Sequence, residues 1–152
     1  MSGRLIGIAR RDATRAAMEV IDHGTISPGE GVRGDFRGAL KPGRNKREVT
    51  VMAREDWDAA IGLVGRPELE WWNRRANLLV EGIALPRSKG ATIRLAGGAV
   101  LEVTGETDPC FRMDEIVDGL QTALTPEWRG GVTTRVIAGG PITVGDKVEC
   151  DE

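Results

Sequence analysis

Glycine punctuates this chain. It occurs 21 times in 152 residues, about twice the ~7% average. With so many turn residues and little helical periodicity, the sequence favours short strands joined by tight turns. Leu5-Ile6-Gly7-Ile8-Ala9 reads as a first strand, and Glu48-Val49-Thr50-Val51-Met52 alternates as a second. Asn77 to Val80 is a third. Thr92 to Leu95 and Ala99 to Thr104 flank Gly97-Gly98, a hairpin signal. Val132 to Ala138 and Asp146 to Glu149 complete the set, with a turn expected at Gly139-Gly140-Pro141. Residues 23–46, rich in glycine, proline and charge, read as a long loop region. The best helix is Arg54 to Val64, which places Trp57, Ile61 and Val64 on one face and stops at Gly65 and Pro67. Asp114 to Leu124 is a second candidate, weakened by Gly119. Six or seven short strands without βαβ alternation predict a mainly β fold. The expected form is a closed or nearly closed β-barrel with two or three short helices.

At this length the chain, 1–152, reads as one domain able to build a core without disulfide or metal. No apolar run approaches the ~18 residues of a membrane span. Met1-Ser2-Gly3-Arg4 does not open a signal peptide. A cytoplasmic, membrane-free protein is expected. The net charge of −2 makes no case for nucleic-acid binding. Charge is uneven, however: residues 1–54 carry 11 basic and 6 acidic side chains, and residues 55–152 carry 10 and 17. An arginine-lined anion site drawn partly from the N-terminal third is one reading, and a solvated, salt-bridged surface is the other.

Several motifs fail. Gly29-Glu30-Gly31-Val32-Arg33-Gly34 spells a dinucleotide fingerprint, but no strand is expected before it and no helix after it. With His23 the single histidine, only three serines and no GxSxG, the sequence makes no case for a serine hydrolase; His23 reads as a general base or, beside a glycine turn, as a surface or loop residue. Two cysteines cannot hold a four-thiolate iron–sulfur cluster, and with one histidine they cannot complete a structural zinc site.

Two segments survive. Trp71-Trp72-Asn73-Arg74-Arg75-Ala76-Asn77 stands directly before an apolar strand. If that strand starts early, alternation puts Arg75 and Asn77 on one face, a guanidinium fork beside an amide. The tryptophans are either a protein contact or core packing. The other segment is Glu106-Thr107-Asp108-Pro109-Cys110-Phe111-Arg112-Met113. Here a cysteine follows a strand with a cation two residues on, an arrangement that favours a thiolate, against the pull of Glu106 and Asp108. Cys110 is a reactive or metal-ligating thiol on that reading, and a structural cysteine on the other. Cys150, among carboxylates near the C-terminus, reads as incidental.

These pieces, in order, resemble the MOSC domain found at the C-terminus of molybdenum cofactor sulfurases. The matching elements are Gly31-Val32-Arg33-Gly34-Asp35-Phe36, Arg47-Glu48-Val49-Thr50, Arg75-Ala76-Asn77-Leu78, Gly97 to Thr104, Pro109-Cys110-Phe111-Arg112-Met113, Arg129-Gly130-Gly131-Val132, Arg135-Val136 and Gly140 to Asp146. The resemblance implies a barrel akin to that of pyruvate kinase. It also implies that Cys110 accepts sulfur as a persulfide or ligates molybdenum. Arg47, Arg75, Asn77, Arg112 and Arg135 are then the candidates for holding the pterin and phosphate of molybdenum cofactor. Some stand-alone members carry His-Gly-Gly where this chain has Arg37-Gly38-Ala39, a departure that bears on reduction of N-hydroxylated bases. No segment matches a pyridoxal phosphate domain, an iron–sulfur motif or a flavin motif. Sulfur or electrons are therefore expected from a partner, a cysteine desulfurase or an electron-transfer protein. Three readings follow: a sulfur carrier or cofactor-binding protein, a small molybdenum-cofactor reductase, and an interaction domain without catalysis. The sequence leaves the oligomeric state open.

Overall fold

A computed structural model describes residues 2–152. The chain forms strands β1 (Ser2–Arg10), β2 (Glu19–Ile21), β3 (His23–Ser27), β4 (Gly31–Val32) and β5 (Val49–Ala53), then helix α1 (Arg54–Leu63). A 3-10 turn, Trp71–Arg74, precedes β6 (Leu78–Glu81), β7 (Thr92–Leu95) and β8 (Val100–Glu106). Short helices α2 (Arg112–Ile116) and α3 (Leu120–Leu124) lead to β9 (Val132–Ala138), β10 (Gly140–Thr143) and β11 (Lys147–Asp151).

Seven strands close into a barrel in the order β1-β6-β5-β9-β8-β7-β11, and β11 pairs back onto β1 through Ser2–Glu149, Gly3–Val148 and Arg4–Lys147. β2 extends the sheet from β1, while β10, β3 and β4 form a separate small sheet. Among the barrel pairs only β5 and β6 run parallel. A parallel pair needs a crossover connection, and that crossover carries α1 and the Trp71–Arg74 turn to the outside of the barrel.

Period-two alternation divides the core in two. Val51 and Ala53 of β5, with Leu78 and Val80 of β6, point into the barrel beside Leu5, Ile93 and Leu101. Met52 and Leu79 point outward, under Trp57 and Ile61 of α1 and Leu120 and Leu124 of α3. Every residue of β5 is therefore buried. Truncating Leu79 to Ala would remove a fully packed side chain, at about 2–5 kcal/mol. Helix α1 lacks a side-chain cap, but Glu55 and Asp56 in its first turn favour its dipole.

The barrel strands and α1 agree with the sequence reading. Three features differ. The region 23–46 contains β3 and β4, and Gly140-Pro141 begins β10 instead of making a turn. These strands are too short for an alternation signal: β3 and β10 pair at long range, Gly140–Ile26 to Thr143–His23, and β4 folds back on β3. The second helix is broken into α2 and α3 because Gly119 takes φ 89°. No helix among the described residues is long and apolar enough to cross a membrane.

Candidate functional site

Cys110 sits on the connection from β8 to α2. That connection is fixed at several points. Thr107 N–H donates to Gly131 O at 2.9 Å, and Gln121 Nε2 donates to Pro109 O at 3.3 Å. Met113 N–H donates to Cys110 O at 2.9 Å as the chain turns into α2. The backbone is held while the Cys110 thiol stays exposed.

Beneath the loop lies Arg74, only 8% exposed. Its Nη2 donates to Thr107 O at 2.8 Å. Its Nε and the Thr107 hydroxyl are both buried with no hydrogen-bond partner among the described residues. Gly130 makes this approach feasible: a Cβ there would lie 2.5 Å from Thr107 O and 2.9 Å from Arg74 Nη2. Burial lowers the Arg74 pKa to about 10, and repulsion from Arg47 adds to this, against the attraction of Cys110, Asp108 and Glu106.

Arg47 closes the same group. Its side chain is exposed at the surface, yet enough protein surrounds the guanidinium to lower its pKa, with Arg37 adding repulsion and Cys110 and Asp108 opposing it. Thr104 Oγ1 donates to Lys46 O at 2.5 Å, which fastens the Arg47 loop to β8. Glu106 is pushed up by burial and then by its hydrogen bond and charge contact with Asp108, against the pull of Arg74. One thiol, two guanidiniums and two carboxyl groups thus meet at one end of β8. The set can hold negative charge and offer a soft donor atom.

The other sequence candidates lie as follows. Arg75 is exposed and donates through Nη1 to Ala16 O at 3.2 Å. The alternation expected to align it with Asn77 does not occur, because Arg75 takes left-handed φ 66° and β6 begins only at Leu78. Asn77 is buried, its Oδ1 accepting from Thr50 N at 3.0 Å and its Nδ2 donating to Ala9 O at 3.1 Å, which joins β5 to β1. Arg112 is exposed at the start of α2. Arg135 pairs across the sheet with Glu102 at 2.7 Å. Of the predicted arginines, Arg47 is the one within electrostatic reach of Cys110. The residue missed is Arg74. Two adjacent arginines gave no sign of which one turns inward, and only the left-handed residue ending the 3-10 turn decides it.

The remaining features lie elsewhere. Trp71 is core, its ring packed so closely on Gly7 that a Cβ there would come within 2.5 Å. Trp72 meets it edge-on at 6.1 Å and lines an open cleft of about 700 Å³ with Val20, His23 and Val144. A smaller cleft of about 270 Å³ lies between Asp56, Arg87 and Trp128. Neither includes Cys110. His23 is a surface residue paired with Asp22 at 2.6 Å. No cluster of three His, Cys, Asp or Glu side chains suited to a metal ion occurs among the described residues.

The barrel and the Pro-Cys-x-Arg loop define a class. The chain belongs to the MOSC domain family, whose model matches residues 41–149. Its fold is similar to that of YuaD protein from Bacillus subtilis, with a TM-score of 0.77 and 22% identity over 99% of this chain and 96% of that one. YiiM from Escherichia coli is similar at a TM-score of 0.69 and 17% identity, over 98% of this chain and 70% of that one. YiiM from Geobacillus stearothermophilus follows at 0.66 and 16%, over 99% and 73%. No curated protein matches the chain by sequence.

Proposed function

We propose that this MOSC protein binds molybdenum cofactor at the Cys110 loop, with the Cys110 thiolate as a ligand of the metal. The observation that carries the reading is the exposed thiol beside Arg74, whose buried Nε and neighbouring Thr107 hydroxyl have no partner in the chain. Buried polar atoms left unsatisfied cost about 1–3 kcal/mol each, so a polar group from outside the chain fits there. The donor set also fits the group. Thiolate is a soft ligand suited to such a metal. Among the described residues no three-residue metal cluster stands here, so a metal held by Cys110 would bring further ligands of its own.

When bound, the cofactor supplies a redox-active metal centre. The protein's residues do the rest. Cys110 would ligate the metal, Arg47 and Arg74 would supply positive charge for the cofactor's anionic groups, and Arg112 stands at the start of α2. Glu106, its pKa raised by burial, stands beside Asp108. Reduction of N-hydroxylated compounds is the enzyme form of this reading, with electrons from a separate protein. We place the protein in the cytoplasm, where both thiols stay reduced.

A second reading rests on the exposure of Cys110. The thiolate attacks the outer sulfur of a persulfide carried by a cysteine desulfurase. The donor's S–S bond breaks, its thiolate leaves, and a new S–S bond forms on Cys110 without net oxidation. One experiment separates the two. The protein is produced in a host that makes molybdenum cofactor, and molybdenum per chain is measured for wild type and Cys110→Ser. Near-stoichiometric metal lost in the variant supports cofactor binding, and amidoxime reduction is then assayed with a chemical electron donor. Absence of metal in both, with a gain of one sulfur on Cys110 after incubation with a desulfurase, favours the carrier. Neither metal nor sulfur overturns both.

A further inference from the structure

The smaller of the two clefts, about 270 Å³, is built from three separate parts of the chain. Asp56 comes from the first turn of α1, Arg87 from the connection between β6 and β7, and Trp128 from the connection between α3 and β9. Ile83 is buried in the lining, and Leu85 and Trp128 are half-buried and packed on the barrel core, so part of the cleft is apolar. Its volume is at the small end for ligand pockets and suits a small metabolite.

Two opposite charges line this cleft without meeting. Neither Asp56 nor Arg87 has an ion-pair partner among the described residues. Asp56 is half-buried. Burial pushes its carboxyl up, attraction from Arg87 and then Arg129 opposes this, repulsion from Glu55 and Glu127 adds to it, and no hydrogen bond offsets it. The other charged groups nearby are engaged: Glu55 Oε2 accepts from Gly82 N–H at 2.8 Å, and Arg129 Nη1 donates to Ala123 O at 3.1 Å. A carboxylate drawn partly out of water without a donor is costly, and a cation entering the cleft would remove that cost. The aromatic wall is also unusual. Glu127 and Trp128 both take left-handed backbone, φ 54° and 55°, a conformation rare for a bulky side chain. Strain of this kind collects at ligand clamps.

We propose that this cleft binds a free α-amino acid with an apolar side chain, its ammonium group on Asp56, its carboxylate on Arg87, and its side chain against Trp128, Ile83 and Leu85. A zwitterion answers both charges at once, and a guanidinium fork matches a carboxylate. A simple anion would be repelled by Asp56, and a simple cation by Arg87. A peptide terminus carries only one of the two charges. The inference is independent of the reading of Cys110, because no residue of the Cys110 loop lines the cleft.

The test is a calorimetric titration of the whole protein with L-leucine and L-methionine. Saturable binding of at least one is expected. L-Leucinamide, which lacks the carboxylate, and 4-methylpentanoate, which lacks the amine, should each bind about tenfold or more weakly than leucine, since each loses a charge-assisted contact. Asp56→Asn and Arg87→Gln should weaken binding of the amino acid by a similar factor. Both variants should keep the wild-type Tm, because Asn is close to Asp in shape and Arg87 is exposed. Cys110→Ser should bind as wild type does. Binding of neither amino acid overturns the proposal. So does an analogue with one charge that binds as tightly as leucine, or binding indifferent to both cleft variants. Binding lost in Cys110→Ser would put the ligand at the thiol and overturn it as well.

Discussion

The two cysteines occupy opposite kinds of place. Cys110 lies on a connecting loop, exposed, with its backbone tied and its thiol free. Cys150 lies in β11, opposite Ile93, packed on the barrel core. Burial pushes its thiol up to about 11, repulsion from Asp151 adds to this, and Arg94 opposes it. The same side chain is thus kept inert by a strand and offered for chemistry by a loop. The barrel strands supply rigidity, and the connections at one end supply reactive groups.

Substitution breaks this comparison most sharply. Cys110→Ser should abolish molybdenum or sulfur loading, and Cys150→Ser should leave it intact, as read by elemental analysis and intact mass. Alkylation is the next test. Native protein treated with iodoacetamide should be modified at Cys110 at least about tenfold faster than at Cys150, since only an accessible thiolate reacts. Mass mapping of the labelled peptides checks this, and equal rates would remove the distinction.

The adjacent arginines sharpen the contrast between scaffold and surface. Arg74→Ala strips Thr107 O of its donor and should cost about 1–3 kcal/mol in urea unfolding. Arg75→Ala, at an exposed side chain, should stay within about 0.5 kcal/mol. The smallest effect is in pH. The folded protein keeps Cys150 protonated up to about 11, whereas an ordinary thiol ionises near 9.0. Stability from this residue is complete below pH 9, declines between pH 9 and 11, and is absent above. Partial exposure makes the slope gentle. Unfolding of wild type and Cys150→Ala across that range should show a steeper decline in wild type.

The sequence displayed the barrel well because its strands are long enough to alternate. β5 and β6 show why: Val51, Leu78 and Val80 face in, while Met52 and Leu79 face α1 and α3. The small sheet was hidden, since Gly31-Val32 is too brief to show a period and β3 finds its other partner, β10, only far along the chain. At the site, the thiol and its loop could be read from Pro109-Cys110 and the neighbouring cation. Arg74 could not. Its inward direction depends on a left-handed backbone at Arg75, a conformation that arginine does not announce.

The pairing of β1 with β11 bears on how the molecule forms. β1 and β11 share one seam, so the ring of hydrogen bonds cannot be completed until residues 147–151 have been synthesised. Contacts so remote along the chain make for slow folding. While the seam waits, the edge of Ser2–Arg4 is open to any other strand. Newly made chains of this protein are thus most exposed to aggregation in the interval before residues 147–151 arrive.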